Sequence, residues 1–535
     1  MSVKFQCGCI LATDAHDKII FEPEVEKVRL DCPKTWDLIS DGNCTGIFQL
    51  ESQLGHTFAK KLKPHDINEL SDLIAILRPG ALEAVMENGK SITENYILRK
   101  FGKEEEKVFH PALEEILRPT RQLLLYQEQN TKIVQKIGGF SLAESELFRK
   151  SIGKKSSSLM AEMKKLFFTK AREVNLMDEA QLEELFGWME KSVRFQFNAS
   201  HSISYAMLSY ITAYTKCHFP LEFFTSYLTF AKEKPEPKTE IQRLVNNAKD
   251  MNIEVKPPCL EKMNKDFKIH EGSIIFGLQD VKGIGSTTVD KFPHLLVGDW
   301  KDWSWPTFIC SFLLKINSIA AKALISSGAL HFKMSRSRML YEFGIMQELT
   351  EKELNYVLNS GCTTNNTLSD FLQFLLEGPV GKSGGIANKK RYDLILKLKQ
   401  GLENPPYSME DSNEWIANTE ETLLGIALTC SKVDGCNTMQ ANCKVSEFRT
   451  YQGKPIIAAE IRNVREHKIK NGKSAGEFMA FLEICDDSGS LSSVVAFTNE
   501  YKENKHLLSL GNTVMIYGEK DKSGDSLIVK KVEQI

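Results

Sequence analysis

After about residue 446 the sequence changes its period, and no other feature limits the fold as strongly. Before that point apolar residues recur at helical spacing in HDINELSDLIAILRPG, HPALEEILRPT, LLLYQEQNTKIVQKIGGFSLAESELFRKSIGKK and EAQLEELFGWMEKSV, the pattern of amphipathic helices. Pro79, Pro111 and Pro119 punctuate their ends. Beyond it they alternate, in IIAAEIRNVREHKI, EFMAFLEICD, LSSVVAFT, NTVMIYGEK and SLIVKKVEQ. Five strands within ~80 residues, turned at DDSGS and DKSGDS, predict a small barrel of the OB type. The chain is thus expected to be multidomain α+β, helical first and β last. Its 535 residues, 42% of them hydrophobic, suffice for several cores and roughly three or four domains.

The remaining segments read less sharply. CGCILATDAHDKIIFEP suggests one or two strands, and VRLDCPKTWDLISDG a turn and a short helix. KEKPEPKTE (232–240) suggests a hinge between domains. Residues 350–420 look polar and loop-rich, with GKSGGIANKK (381–390) as a mobile segment. The formal charge of −2 does not exclude nucleic acid, because binding depends on where charge is placed. Twelve cysteines include Cys7-Gly-Cys9 and the loose set Cys430, Cys436 and Cys443, but no CxxC pair, which argues against zinc. No secretory signal or membrane-length apolar run stands out, so reduced thiols in a cytoplasm are expected, with no membrane partner.

Three stretches carry chemistry. KGIG (282–285), followed by Ser286 and Thr287, reads as a tight turn before a helix start, where backbone and amides can approach a phosphate. RKSIGKKSSSLMAEMKKLFFTKAR (149–172) holds Arg149, Lys150, Lys154, Lys155, Lys164, Lys165, Lys170 and Arg172 against the single acid Glu162, a field suited to phosphates. A solvated basic helix face is the plain alternative. FNASHSISYA (197–206) crowds Asn198, Ser200, His201, Ser202, Ser204 and Tyr205 at the start of an otherwise core-like helix. Adjacent Ser200 and His201 point about 100° apart on a helix and lack a nucleophile elbow, so a hydrolase is disfavoured. A capped helix with one buried histidine and a nucleotide-facing helix start both remain open on pattern alone.

FQLES (48–52), LKPHDINELSDLIAILRPG (62–80), YILRKFG (96–102), HPALEEILRPT (110–120), LLYQEQ (124–129), GFSLAESELFRKSIGKK (139–155), FNASHSISYA and YITAYTKCHFPLEFF (210–224) follow one another in that order. Together with PPCLEKMNKDF, IIFGLQDVKGIG, ALISSGAL, ETLLGIAL and the terminal β segments, they resemble the bacterial C-family replicative polymerases, the DNA polymerase III alpha subunits. The resemblance implies late-palm remnant and connector at 1–46, fingers at 47–231, and a helix-hairpin-helix DNA-binding region at 232–335. A connector at 336–445 and the OB-like domain at 446–535 complete it.

In that family two Mg²⁺ ions, held by palm aspartates, activate the primer hydroxyl and steady the incoming dNTP. Those aspartates lie upstream of FQLES, in PDxDxDF and DFLGL segments that are not found here. Asp14, Asp17 and Asp31 are the nearby acids and form no DxD pair, so no catalytic or metal-binding residue is assigned. The expectation is a split or truncated form without the PHP domain and most of the palm, completed on primer-template DNA by a palm-bearing polypeptide. A non-catalytic DNA-binding protein descended from a polymerase fragment is the alternative.

Residue by residue, the resemblance implies triphosphate contacts for Arg149, Lys150, Lys154 and Lys155. Lys150 stands where the family has a second arginine, and Ala199 where it has a lysine. It implies a nascent-base-pair surface for Asn198, Ser200, His201 and Tyr205, and duplex phosphate contacts for Lys282, Gly283, Gly285, Ser286 and Thr287. Phe478, Phe481, Phe497 and Tyr501 are the barrel's candidates for single-stranded template. A sliding clamp is a further expected partner, through QFLLEG (373–378), a poor match to its peptide.

Overall fold

The computed structural model describes residues 2–13, 21–154, 157–360, 367–381, 383–469, 474–522 and 524–535. Asp14, Asp17 and Lys155 therefore lie outside the described residues. The chain divides into two compact units, residues 1–220 and 221–535.

The first unit is built on the helix Ile67–Ile76, in which every residue but the exposed Asn68 is buried, the polar Glu69, Ser71 and Asp72 included. Asp66 caps it, accepting the Glu69 N–H at 2.9 Å. The long helix Ala199–His218 packs against it, and Ser202 donates its hydroxyl to the Ser71 carbonyl at 2.7 Å. Asp72 is buried between the hydroxyls of Tyr96 (2.6 Å) and Tyr126 (2.7 Å), which both donate to it. Burial pushes its pKa up to about 6, against the pull of those two phenols. Beside this core the helices Gln127–Lys136, Leu142–Lys154, Ser157–Val174 and Glu179–Ser192 surround a second one, centred on Phe148, Phe167 and Phe186. At the amino end two short strands, Ser2–Lys4 and Ile10–Ala12, pair antiparallel, and the helix Pro33–Ser40 follows, as the sequence suggests.

In the second unit KEKPEPKTE forms a 3-10 turn, Ala231–Glu233, and the start of the helix Pro237–Asp250, with Pro237 at its first position. A three-stranded sheet of Val255–Lys256, Ser273–Ile275 and Lys268–His270 comes next. The segment expected to be loop-rich is helical instead, in Glu351–Asn359, Leu368–Glu377, Lys389–Glu403 and Asn413–Leu424. Each of these helices begins at a capping side chain: Thr350, Thr367, Asn388 and Ser412. Their narrow apolar stripes suffice for burial, as Leu368, Phe371, Leu372 and Leu375 illustrate. That last residue belongs to QFLLEG, so the nearest clamp-like peptide has its central leucine committed to the core. In the supposed mobile stretch Ile386 is fully buried, and its carbonyl accepts the Gly381 N–H at 2.8 Å.

The five β segments are all present, as Ile456–Lys468, Phe478–Asp486, Gly489–Ala496, Thr513–Lys520 and Leu527–Gln534. They close into a barrel. The first strand pairs with the second and fourth, the second with the third, and the fifth lies parallel to the third and antiparallel to the fourth. With the helix Thr498–Asn504 between third and fourth strands, this is OB topology. The alternation did not reveal that helix, which places Tyr501 in the barrel core with its phenol donating to Glu466 at 2.7 Å. Tyr501 is therefore a core residue and not an exposed stacking platform.

Candidate functional site

The first turn of the helix Ala199–His218 leaves backbone amides that need acceptors. Asn198 Oδ1 accepts the His201 N–H at 2.9 Å and the Ser200 hydroxyl at 2.6 Å. The Ala199 N–H goes to the Glu128 carboxylate, also at 2.9 Å. The negative charge that a helix start favours is thus already supplied by Glu128. What the turn presents outward is mainly ring surface. The His201 ring lies 3.9 Å from Tyr205 and 5.3 Å, edge-on, from Phe197. Tyr205 meets Phe48 at 5.1 Å, and the Arg78 guanidinium sits 4.2 Å over Phe197. Ser200, His201 and Arg78 are exposed and the rings of Phe197 and Tyr205 half-buried. Rings held this way, with a guanidinium at one end, leave a partly open aromatic surface of the kind that stacks on flat groups.

Longer-range hydrogen bonds hold this turn in place. The Phe197 N–H donates to the Leu125 carbonyl and its own carbonyl accepts the Gln127 N–H, both at 2.9 Å. The buried Asn130 amide donates to Gln196 at 2.9 Å. The helix Gln127–Lys136 therefore positions the stacking surface. The motif residues Asn198, Ser200, His201 and Tyr205 come together as expected from their spacing. Glu128, Arg78, Phe48 and Phe197 complete the surface without having been singled out in the sequence. Their motifs were visible, in YQEQ, LRPG, FQLES and RFQF, but their juxtaposition comes only from tertiary contact.

Arg149 projects from the neighbouring helix Leu142–Lys154. Its guanidinium donates to Glu146 through both Nε (2.9 Å) and Nη2 (2.6 Å). That bond, aided by the nearby Glu128 charge, holds its pKa above the ordinary value. Lys150 is exposed; the side chain of Lys154, like Lys155, lies outside the described residues. The basic run is less bare than its sequence implies. Lys164 pairs with Glu183 at 3.6 Å, Lys170 with Glu144 at 2.6 Å and Arg172 with Glu179 at 2.5 Å. These acids lie just outside the 149–172 window, so folding neutralises charge that the window counts as free.

In the second unit Lys282, Gly283, Gly285, Ser286 and Thr287 are all exposed on one turn, while Ile284 and Val289 anchor it in the core. Gly283 has φ +96°, and a Cβ there would lie 3.0 Å from Ile319 Cγ2, so the turn requires glycine. The helix that follows, Ser286–Val289, is only four residues long, and a 3-10 turn, Leu278–Asp280, precedes it. The expected hairpin of two helices is therefore a compact turn between short elements. Its Lys282 is exposed, while Asp266 and Asp280 pair with Lys232.

On the barrel, the first and second strands extend past the core as an exposed ribbon. There Arg465 pairs in register with Phe481 and Lys468 with Phe478. Arg465 lies 5.1 Å over the Phe481 ring and Lys468 6.0 Å over Phe478. Phe478 and Phe497 are both 46% exposed, which suits them to stacking where Tyr501 is not.

Among the described residues, no side-chain cluster suits the Mg²⁺ pair that the resemblance implies. Hard Mg²⁺ needs clustered oxygen ligands. Among the described residues the one such group with two carboxylates is His65, Asp66 and Glu69. Glu69 is already bonded to Lys100 at 2.7 Å and to Arg121 at 3.1 Å. No helix among the described residues is long and apolar enough to cross a membrane.

Fold and site together define a multidomain α+β chain, mainly helical, with fingers that present a stacking surface and a carboxy-terminal OB barrel. Residues 10–175 match the family of bacterial DNA polymerase III alpha subunit finger domains. The chain is similar to the DNA polymerase III alpha subunit of Aquifex aeolicus, with 30% identity over 94% of this chain and 39% of that protein. The Thermus aquaticus subunit is 27% identical over 95% of this chain and 39% of its own length. For Chlamydia trachomatis the values are 25%, 98% and 40%. The chain spans about two fifths of the length of these relatives. The chain is thus similar to the fingers and carboxy-terminal part of bacterial DNA polymerase III alpha subunits.

Proposed function

We propose that this chain is a component of a replicative DNA polymerase, supplying fingers, a duplex-gripping turn and an OB barrel to a palm carried by another polypeptide. The observation that carries this reading is the stacking surface of Phe197, His201 and Tyr205, with Arg149 on the adjacent helix. In this reading the rings bear on the nascent base pair and Asn198 and Ser200 shape the helix start. Arg149, Lys150, Lys154 and Lys155 face the triphosphate. Lys282 with Gly283, Gly285, Ser286 and Thr287 touches duplex phosphates, and the ribbon of Arg465, Lys468, Phe478 and Phe481 takes single-stranded template. The Mg²⁺ ions belong to the partner's palm, because no two aspartates of this sequence stand in DxD spacing. The chemistry is nucleotidyl transfer by the assembled enzyme.

The second reading, a non-catalytic DNA-binding relic, is favoured only by the same missing aspartates. It gives no reason to keep a base-stacking surface beside Arg149.

DNA binding is measured by fluorescence anisotropy of labelled primer-template across a salt series. Affinity is expected to fall linearly on a log–log plot, and Lys282→Ala to reduce the slope by about 1 at little cost to folding. Absent or salt-independent binding would count against both readings.

A further inference from the structure

From the cluster of Cys7, Cys9, Cys32 and His218 we infer a structural zinc site in the first unit. The ligand atoms of these four residues all lie within 4.8 Å of one another. His218 Nε2 is 3.3 Å from the Cys32 sulfur and 3.9 Å from that of Cys7. Tetrahedral zinc, with bonds of about 2.3 Å to sulfur and 2.0 Å to nitrogen, needs edges of roughly 3.5–3.8 Å between ligand atoms. The cluster is already near that size before any ion is placed in it. Three thiolates and an imidazole are a ligand set that selects zinc over hard cations.

The backbone around the cluster is arranged to present it. Gly8, at φ +86°, makes the turn between Cys7 and Cys9, and the Phe5 N–H donates to the Cys9 carbonyl at 2.8 Å. The Cys32 N–H donates to the Tyr210 hydroxyl at 3.1 Å, which in turn donates to the Arg29 carbonyl at 2.8 Å. Cys9, Cys32 and His218 are buried, and the rings of Phe5 and Tyr214 flank the imidazole at 5.0 Å and 4.3 Å. Cys7 is half-buried, so water is kept from two of the three sulfurs.

Zinc binding would convert three thiols to thiolates and release three protons, leaving the centre with one net negative charge. Arg29 and Lys34 lie within electrostatic reach to offset it. The ion would join the amino-terminal hairpin and the loop before Pro33–Ser40 to the last turn of the helix Ala199–His218. That is the same helix whose first turn carries the stacking surface, so the zinc would fix its far end. The inference does not depend on the polymerase reading. The absence of CxxC argued against zinc because the four ligands are scattered through the chain; Cys7 and His218 are 211 residues apart.

The test is metal analysis of the purified full chain, followed by exchange with cobalt(II). One zinc per chain is expected, as are the visible ligand-field bands of tetrahedral cobalt with a thiolate charge-transfer band. Chelation should lower Tm by roughly 10 °C. Cys32→Ser and His218→Ala should each lose the ion, while Cys217→Ser, a buried neighbour outside the cluster, keeps it. Should the first two variants fail to fold, the cobalt spectrum of the unaltered chain decides. A metal-free chain that takes up no zinc or cobalt would overturn the site. So would metal retained by folded Cys32→Ser and His218→Ala, or a disulfide within the set in freshly isolated protein.

Discussion

Arg149→Ala is expected to raise the apparent KM for dNTP by about 10- to 100-fold in the assembled enzyme, with duplex affinity changed less than about twofold. The range follows from a charge-assisted hydrogen bond to phosphate, worth about 1.5–3 kcal/mol. Without nucleotide the guanidinium rests on Glu146 in a bidentate pair at the edge of the fingers. A pair that open to solvent is weak beside a triphosphate carrying several charges, so the nucleotide can take over the fork. Arg149→Lys should fall between, keeping charge and losing planar geometry. Steady-state incorporation of one nucleotide, run beside primer-template binding, separates the effects. Equal loss of both would make Arg149 a DNA contact.

Lys216→Met is expected to destabilise the first unit by about 3 kcal/mol or more. Its ammonium is wholly buried in the helix Ala199–His218, where it donates to the Asn43 carbonyl (3.0 Å), Asn43 Oδ1 (2.9 Å) and the Thr45 carbonyl (2.9 Å). Methionine fills a similar volume but removes the donor these three oxygens share, and buried carbonyls left unpaired bear their full desolvation cost. A urea melt should show a lower midpoint at nearly unchanged slope. A loss below about 1 kcal/mol would mean that the loop around Asn43 and Thr45 relaxes to find water.

The β half of the fold was legible because alternation survives in every barrel strand. The helix Thr498–Asn504 was not, since one short polar helix leaves too few turns to declare a period. Of the helices between 351 and 424, Glu351–Asn359 and Asn413–Leu424 were missed for a related reason: their caps, Thr350 and Ser412, mark them more clearly than their few buried apolar residues do.

In the candidate site, Asn198, His201 and Tyr205 could be read from the spacing of one helix. Glu128, which caps that helix from 71 residues away, could not. Nor could the ring of Phe197 under Arg78, because nothing local pairs those two residues. The positive run at 149–172 misled in the opposite sense, its partners Glu179 and Glu183 lying on the next helix. Sequence windows see charge and period, and tertiary contact decides which of each remains available.

The central claim is that this chain provides the substrate side of a polymerase and not its metal-binding side. Primer extension with Mg²⁺ and dNTPs tests it most directly, run with the purified chain alone and with a co-encoded palm-bearing polypeptide. The account expects no extension by the chain alone and robust extension by the pair. Extension by the single chain, or none in either case, would contradict it.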